Sequence, residues 1–229
     1  MLDLGGIQVI YEDNHLIAVN KPAGYLVQGD ETGDTPLTEY VKSYIKVRYN
    51  KPGKVFLGLI HRLDRPVSGV VVMARTSKAL GRMNQLFQER QVAKTYWAIV
   101  GNRPDPIDGH LEHYILKDSE KRKSKALDSI GRRTKDAKKG ELDYRLIGGL
   151  QNRHLLEVKP KTGRPHQIRV QLAKIGCPII GDLKYGYPTP NTDASIYLHC
   201  RSLAFIHPVK KEPVTIEANP PNFGDWKIF

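Results

Sequence analysis

Short apolar runs dominate the chain, and they predict more strand than helix. The pattern predicts strands at residues 7–11, 16–20, 55–60, 70–74, 95–100, 141–147, 153–158, 197–207 and 213–218. The first two flank a polar Glu-Asp-Asn-His turn, which is typical of a hairpin. Residues 70–74 are continuously apolar, which indicates a strand buried on both faces.

Three other segments carry apolar residues at helical spacing. The first begins at Thr35-Pro36, with proline at the first helical position. The second follows a capping Thr76 or Ser77. The third covers about 166–175 and ends at Gly176, which suits a left-handed C-terminal cap. Strands cluster instead of alternating with helices, so the predicted fold class is α+β with a mixed, mostly antiparallel sheet in a single domain, 1–229.

Residues 117–140 differ from the rest. They hold ten Lys or Arg against four Asp or Glu, a net charge of +6. With few apolar residues, the segment is predicted to be an exposed excursion between strands. It is the best candidate for tracking a polyanionic backbone, through residues such as Lys121, Arg122 and Lys123. The alternative is a solvated charged loop.

The whole chain is basic as well. Its 229 residues carry 36 Lys and Arg against 24 Asp and Glu, which leaves +12. A positive field of this size favours a polyanionic partner, with RNA or DNA first. A solubilising surface is the alternative.

The sequence lacks the motifs that are typical of several protein classes. Cys177 and Cys200 have no paired metal-ligand spacing, so no zinc or other metal site is predicted. No glycine-rich nucleotide motif occurs, so no cofactor is predicted. Two reduced thiols, no secretory signal and no long apolar run predict a cytoplasmic protein without membrane contact.

Asp64 is the main candidate for chemistry. It follows a predicted strand, in the run Ile60-His61-Arg62-Leu63-Asp64-Arg65. Neighbouring cations stabilise the negative charge of a carboxylate, which can then act as a nucleophile or stabilise a cationic sugar. The alternative is a structural ion pair at a strand end. A kinase catalytic loop is excluded, since the aspartate is one position late and no glycine-rich loop or D-F-G is present.

The run HRLDRPVSGVVVMART closely resembles the catalytic motif of the RluA family of pseudouridine synthases. Three further segments resemble the same family in the same order: VNKPAG at 19–24, KTYWA at 94–98 and TGRPHQIRVQLAKIGCPIIGDLKYG at 162–186. The resemblance implies a pseudouridine synthase fold, a sheet flanked by helices and loops. Because strands begin by Ile7, no N-terminal S4-type RNA-binding domain is expected.

The resemblance also implies roles for single residues. Asp64 would be the catalytic aspartate, Tyr96 the active-site tyrosine, and Arg169 the arginine that pairs with the aspartate. Arg62 matches the arginine that helps the target base leave the RNA stack. Val67 stands where the family commonly has threonine, which puts only a local hydrogen bond in doubt.

These residue types suit the isomerisation of uridine, in which the N1–C1′ bond breaks and the uracil rejoins through C5. Asp64 can attack or deprotonate the ribose, and both routes stay open. The Tyr96 ring can stack on uracil and its hydroxyl can remove the last proton. Arg169 can orient the carboxylate.

The remaining charged candidates are expected to contact RNA or to support loops. Lys161 and Arg164, in the loop before the third helix, are predicted to contact phosphate, and Arg65 is predicted to bind RNA. His61 and His166 are expected to orient their loops by hydrogen bonds.

Two alternatives and one choice of substrate stay open. An RNA-binding protein without catalysis would keep the basic surface but would not need Asp64, Tyr96 and Arg169 together. A hydrolase with a nucleophilic carboxylate usually has a D-x-D pattern, which is not evident here. The expected partner is structured RNA, either tRNA or rRNA, and a monomer is expected.

Overall fold

The computed structural model describes residues 6–118 and 120–229. Its strands are β1 (Gln8–Glu12), β2 (Leu16–Lys21), β3 (Gly58–Leu59), β4 (Ser68–Ala74), β5 (Ala93–Val100), β6 (Asp108–Asp118), β7 (Lys123–Leu127), β8 (Lys138–Leu150), β9 (Arg153–Pro160), β10 (Leu198–Ile206) and β11 (Pro213–Glu217). Its α-helices are α1 (Leu37–Arg48), α2 (Ser77–Gln88) and α3 (Gln167–Lys174). Two short 3-10 helices cover Leu183–Tyr185 and Gly224–Ile228.

The chain divides into two compact units. The first contains the residues up to Ala93 together with Cys200–Pro221. The second contains Lys94–His199 and Asn222–Phe229. The expectation of one domain over the whole chain stays a prediction.

A sheet in the order β1-β2-β4-β10-β11 forms the frame of the first unit, and β3 also pairs with β4. The predicted hairpin of β1 and β2 is confirmed. Its turn is closed by Asp13, whose Oδ1 accepts hydrogen bonds from the backbone N–H groups of His15 and Leu16. Every residue of β4 is buried, as its continuous apolar run predicts.

The prediction of a strand over 55–60 is wrong in length. Only Gly58–Leu59 forms a strand, opposite Ala74 and Met73 of β4. A strand has two edges, and those of β4 are shared between β2, β10 and β3. This leaves β3 only the end of β4 to pair with.

Both helices of the first unit are present as predicted, although Pro36 is the N-cap and not the first helical residue. Helix α1 begins directly after Pro36 and buries Leu37, Val41 and Ile45. Helix α2 is capped by Thr76, whose side chain accepts a hydrogen bond from the N–H of Ala79 at 3.2 Å.

The second unit contains an antiparallel sheet in the order β5-β9-β8-β6-β7. Helix α3 packs on β6 and β7 at one end of this order. Gly176 follows the helix with φ +76°, so the predicted left-handed cap is confirmed. The mostly antiparallel strand pairing and the three α-helices confirm the α+β class.

The picture of 117–140 as an excursion outside the sheet needs correction. Strand β6 continues to Asp118, Lys123–Leu127 forms the edge strand β7, and β8 starts at Lys138; Ser119 lies outside the described residues. Main-chain pairing does not require apolar side chains, so a charged sequence can form an edge strand. Lysines are common on such edges because they oppose pairing with another chain.

Candidate active site

Asp64 lies in a tight turn between β3 and β4 and is half-buried. The backbone N–H of Val67 donates to the Asp64 carbonyl at 3.1 Å. The next carbonyl, that of Arg65, accepts from the N–H of Gly24 at 2.8 Å, which joins the turn to the loop after β2. The backbone that carries the carboxylate is therefore held from both sides.

Gly69 explains why the strand after this turn can run where it does. Its φ is +115°, a region that L side chains rarely adopt. A side chain there would collide with the backbone of Cys200 in β10. The glycine thus allows the close approach of the two strands just beyond Asp64.

Lys21, at the end of β2, is a fully buried lysine that was not among the predicted site residues. Its Nζ donates to the carbonyl oxygens of Pro22, Tyr25 and Arg65 at 3.0, 2.9 and 3.2 Å. Burial lowers its pKa to about 7, while the Asp64 carboxylate raises it and the Arg65 guanidinium lowers it further. The ammonium therefore holds the backbone carbonyls near Asp64 by hydrogen bonds and interacts electrostatically with the Asp64 carboxylate. Its sequence signal was the lysine of VNKPAG, a charged residue directly after an apolar strand.

The arginines that flank Asp64 in sequence are both exposed. Arg65 pairs with Asp34 at 2.7 Å, and both side chains are about half exposed. Such surface pairs are weak, since water screens them. A phosphate oxygen can therefore take the place of the Asp34 carboxylate beside Arg65 with little loss of free energy.

His61 has a structural environment, as expected. Its Nε2 accepts a hydrogen bond from the N–H of Val72 in β4 at 3.0 Å. Its ring stacks on Phe87 of α2, with centroids 5.2 Å apart. The histidine thus ties the segment before Asp64 to β4 and α2.

Tyr96 and Arg169 belong to the second unit, whereas Asp64 belongs to the first. Tyr96 is half-buried on β5 and lies opposite Val158 of β9. Arg169 is buried in the first half of α3.

Arg169 is held by a carboxylate that the sequence analysis did not single out. Its Nε and Nη2 donate to the two carboxylate oxygens of Asp182 at 2.7 and 2.8 Å. Asp182 is almost fully buried and stands at the start of the 3-10 helix. A bidentate pair of this kind fixes the plane of the guanidinium as well as its position.

Tyr185 supports the same arginine from another side. The Arg169 guanidinium lies 5.0 Å from the centre of its ring. The Tyr185 hydroxyl accepts from the N–H of Ser124 in β7 at 2.8 Å and lies 2.7 Å from Nδ1 of His166. The basic edge strand is therefore connected to Arg169 through one tyrosine. Both Asp182 and Tyr185 occur in the GDLKYG segment, which was the signal available in the sequence.

His166 has the loop-orienting environment that was expected. It adopts a left-handed backbone conformation, φ 54° and ψ 23°, directly before α3. Its bond to Tyr185 fixes the ring. The loop before it is closed by Gln167, whose Oε1 accepts from the Thr162 hydroxyl and the Arg164 N–H at 2.7 and 3.0 Å.

The predicted phosphate-contacting residues of this loop are tied to protein groups. Lys161 Nζ lies 3.0 Å from Asp143, with both side chains about half exposed. Arg164 Nε donates to the Lys139 carbonyl at 2.8 Å. Their role in RNA binding stays a prediction.

Lys121, Arg122 and Lys123 are exposed where the chain turns into β7. Lys184 Nζ donates to the Arg122 carbonyl at 3.1 Å, which ties this turn to the 3-10 helix that carries Tyr185. Their side chains are therefore presented from ordered backbone.

The described residues include one group with metal-like spacing, formed by His110, Glu112 and Glu141. Lys139 Nζ already lies 3.0 and 3.2 Å from the two glutamates, and His110 lies 2.7 Å from Asp143. The lysine balances the acidic charge, so the group gives no argument for a metal. Within the described ranges, no helix is long and apolar enough to cross a membrane.

An open depression of about 450 Å³ lies in the second unit beside the turn between β8 and β9. Arg103, Leu146 and His154 are among the residues that line it. It contains none of the predicted site residues.

Comparison with known proteins gives the class of chemistry. The family model described as RNA pseudouridylate synthase matches residues 15–174. The chain is 32% identical over 225 residues to a ribosomal large subunit pseudouridine synthase D of Zymomonas mobilis, covering 94% of this chain and 69% of that protein. It is 32% identical over 230 residues to a tRNA pseudouridine synthase C of Vibrio cholerae, covering 93% and 90%.

A shorter match and a solved structure complete the comparison. A ribosomal large subunit pseudouridine synthase D of Borreliella burgdorferi is 36% identical over 186 residues, and the chain spans only 55% of its length. The structure of human RNA pseudouridylate synthase domain containing 4 superposes with a TM-score of 0.80 at 26% identity, covering 96% of this chain and 91% of that one.

Proposed function

The chain belongs to the RluA family of RNA pseudouridine synthases, and from this premise we propose that Asp64 is the carboxylate with which it converts a uridine of structured RNA into pseudouridine. The observation that carries the proposal is the setting of Asp64. Its turn is held by backbone hydrogen bonds, and the carboxylate interacts with the buried Lys21 ammonium. A pre-organised carboxylate of this kind suits a step in which positive charge develops on a ribose.

The reaction requires the target uridine to leave the RNA stack. Asp64 then attacks or deprotonates the ribose, and the N1–C1′ bond breaks. The uracil turns and rejoins C1′ through C5, which either displaces the carboxylate from C1′ or is accompanied by return of the abstracted proton to the ribose. The C5 proton is then removed, and N1 gains a proton. In this scheme Tyr96 stacks on the uracil and accepts that proton through its hydroxyl, while Arg169 orients the carboxylate.

The positions of Asp182 and Tyr185 support the role of Arg169. A flexible arginine would lose rotamer entropy each time it met a carboxylate. Arg169 is already held by a bidentate pair and an aromatic ring. Its guanidinium is therefore oriented before RNA binds.

Structured RNA, either tRNA or large-subunit rRNA, is the proposed substrate class. Arg62, Arg65, Lys161 and Arg164, with the ordered Lys121–Lys123 turn, are the proposed phosphate contacts. The protein is proposed to act as a cytoplasmic monomer. Light scattering should then give a mass near 25.9 kDa.

Release of tritium from RNA labelled at uridine C5 tests the reaction. The wild-type protein should release tritium from tRNA or rRNA transcripts. Asp64→Asn should abolish release and leave RNA binding unchanged. Asp34→Asn is the matched control, since it also removes one carboxylate beside Arg65, and it should stay active. An Asp64→Asn protein as active as wild type would refute the assignment.

Two further variants separate the proposed roles. Tyr96→Phe keeps the stacking ring but loses the hydroxyl, so kcat should fall by about 100-fold or more while binding persists. Arg169→Lys keeps the positive charge but loses the planar guanidinium with its two parallel donors, and it should also lower kcat. Mapping pseudouridines in cellular RNA with and without the gene identifies the substrate.

A further inference from the structure

The first unit contains a second concentration of positive charge. Across residues 40–88, Asp64 is the only acidic residue, against ten basic residues, which leaves +9. The basic residues are Lys42, Lys46, Arg48, Lys51, Lys54, Arg62, Arg65, Arg75, Lys78 and Arg82. This charge is spread over 49 residues, whereas the +6 of residues 117–140 falls on 24 residues.

The end of α1 and the chain after it expose part of this charge together with apolar and aromatic side chains. Residues 46–56, here called the basic-aromatic surface, contain no acidic residue. Val47, Tyr49 and Phe56 are 60%, 43% and 48% exposed. The two exposed rings can each stack on an unpaired base.

The lysines of this surface are available for a partner. Lys46, Lys51 and Lys54 are all exposed. Among the described residues, no carboxylate lies within ion-pair distance of any of the three. Their charge is therefore not cancelled locally.

The backbone of the surface is ordered by the way α1 ends. Tyr49 N–H donates to the Ile45 carbonyl at 3.1 Å, and Lys51 N–H donates to the Lys46 carbonyl at 2.9 Å. Asn50 between them is left-handed, with φ 46°. This closed turn presents the lysines from a fixed frame, which lowers the entropy lost on binding.

The Tyr49 ring is held in place as well. The Arg75 guanidinium lies 4.4 Å from the ring centre, and its Nη1 donates to the hydroxyl at 3.3 Å. Arg48 lies 6.0 Å from the same ring. Both arginines also pair with Glu12 of β1, at 3.1 Å from Arg75 and 3.5 Å from Arg48, so they hold the ring while the three lysines supply the uncompensated charge. An exposed ring beside uncompensated cations is the combination that binds unpaired nucleotides.

We propose that the basic-aromatic surface binds a single-stranded part of the RNA outside the target uridine. Phosphates contact Lys46, Lys51 and Lys54, and unstacked bases stack on Phe56 and Tyr49. The inference rests on the proposed function for the identity of the polyanion. Phe56 precedes Asp64 by eight residues, so the two lie within about 28 Å of each other, and one RNA molecule can reach both.

Salt dependence of RNA binding is the test. The variant Lys46→Gln/Lys51→Gln/Lys54→Gln should flatten the slope of log Kd against log salt by about two, since each lost phosphate contact removes about 0.7 from the slope for a single strand. KM should rise, and kcat at saturating RNA should stay near that of wild type. The control Arg103→Gln/Lys211→Gln/Lys227→Gln removes the same charge at exposed positions outside residues 40–88. It should leave the slope close to that of wild type.

Phe56→Leu tests the stacking part, and it should weaken binding of a single-stranded oligonucleotide by about tenfold. If the triple variant of the surface and the control triple variant gave the same slope of log Kd against log salt, the proposal that this surface binds RNA would be refuted. Equal loss of binding to phosphatidylserine vesicles and to RNA would overturn the choice of RNA. Failure of the wild-type protein to release tritium would refute the proposed function. The salt dependence of Kd would still test the surface, because it measures RNA binding and does not require catalysis.

Discussion

Arg169 and Asp182 form a buried ion pair with two parallel hydrogen bonds, 2.7 Å from Nε and 2.8 Å from Nη2. The pair joins α3 to the short 3-10 helix that follows it. The ring of Tyr185, from the same 3-10 helix, lies against the guanidinium. Arg169, which is proposed to act in catalysis, is thus held in place by two residues of the second unit.

Asp182→Asn should destabilise the protein. It removes the carboxylate that accepts two hydrogen bonds from the buried Arg169 guanidinium, so the free energy of unfolding should fall by about 3 kcal/mol. Urea unfolding followed by circular dichroism measures this change. Glu217→Gln is the control, since it breaks the exposed Arg201 pair and should lower stability by less than 1 kcal/mol. Similar losses in both variants would contradict the prediction.

Tyr185→Phe should loosen β7 while the ring stays beside Arg169. The variant removes the acceptor for the Ser124 N–H and the partner of His166. An unsatisfied buried donor lowers stability by about 1–3 kcal/mol. Amide exchange of residues 123–127 should become faster. Tyr185→Leu also loses the ring, so it should lower kcat further than Tyr185→Phe does; equal kcat values would argue against a role for the ring.

Lys21 should make stability rise with pH above neutrality. Its pKa is lowered to about 7 in the folded protein, mainly by burial, against 10.5 as the ordinary value. Between these values the unfolded chain binds the extra proton, so the unfolding free energy rises with pH, by at most about 1.4 kcal/mol per pH unit.

Lys21→Met should flatten this rise between pH 7 and 9.5, because no ammonium remains to titrate. Lys78→Met, at an exposed position, should keep it. The measurement is urea unfolding at several pH values. A rise of the same steepness in wild type and Lys21→Met would contradict the assignment of the titration to Lys21.

His207 should make the first unit sensitive to acid. It is fully buried, and its Nδ1 accepts from the N–H groups of Val209 and Lys210 at 3.2 and 2.9 Å. Its pKa is lowered, mainly by burial, with Asp13 acting in the opposite direction. The unfolded chain then takes up the proton first, so stability should fall as the pH drops below the ordinary value of about 6.5.

His207→Asn keeps an acceptor for the turn but does not titrate, so it should lose less stability than wild type between pH 6.5 and 5. His110→Asn, at an exposed position, should behave as wild type does. Thermal unfolding at each pH distinguishes these outcomes. Identical acid sensitivity in wild type and His207→Asn would rule out this histidine as the cause.

Much of the fold could be predicted from local patterns. The hairpin of β1 and β2, the buried strand β4 and the three helices follow from periodicity, caps and glycine positions, which act over a few residues. The prediction failed where pairing with distant strands decides the structure. β3 is short because the edges of β4 are shared, and the basic β7 is a strand because β6 supplies its partner.

Sequence patterns alone determined the class of fold, the basic character and, through four ordered motifs, the family and the proposed Asp64, Tyr96 and Arg169. Only the tertiary structure revealed that the buried Lys21 donates to the carbonyl of Arg65, next to Asp64 in the chain, that Asp182 and Tyr185 hold Arg169, and that residues 46–56 expose lysines and rings. The physical reason is that the effect of a charge depends on burial and partners. Both are set by residues far apart in the chain.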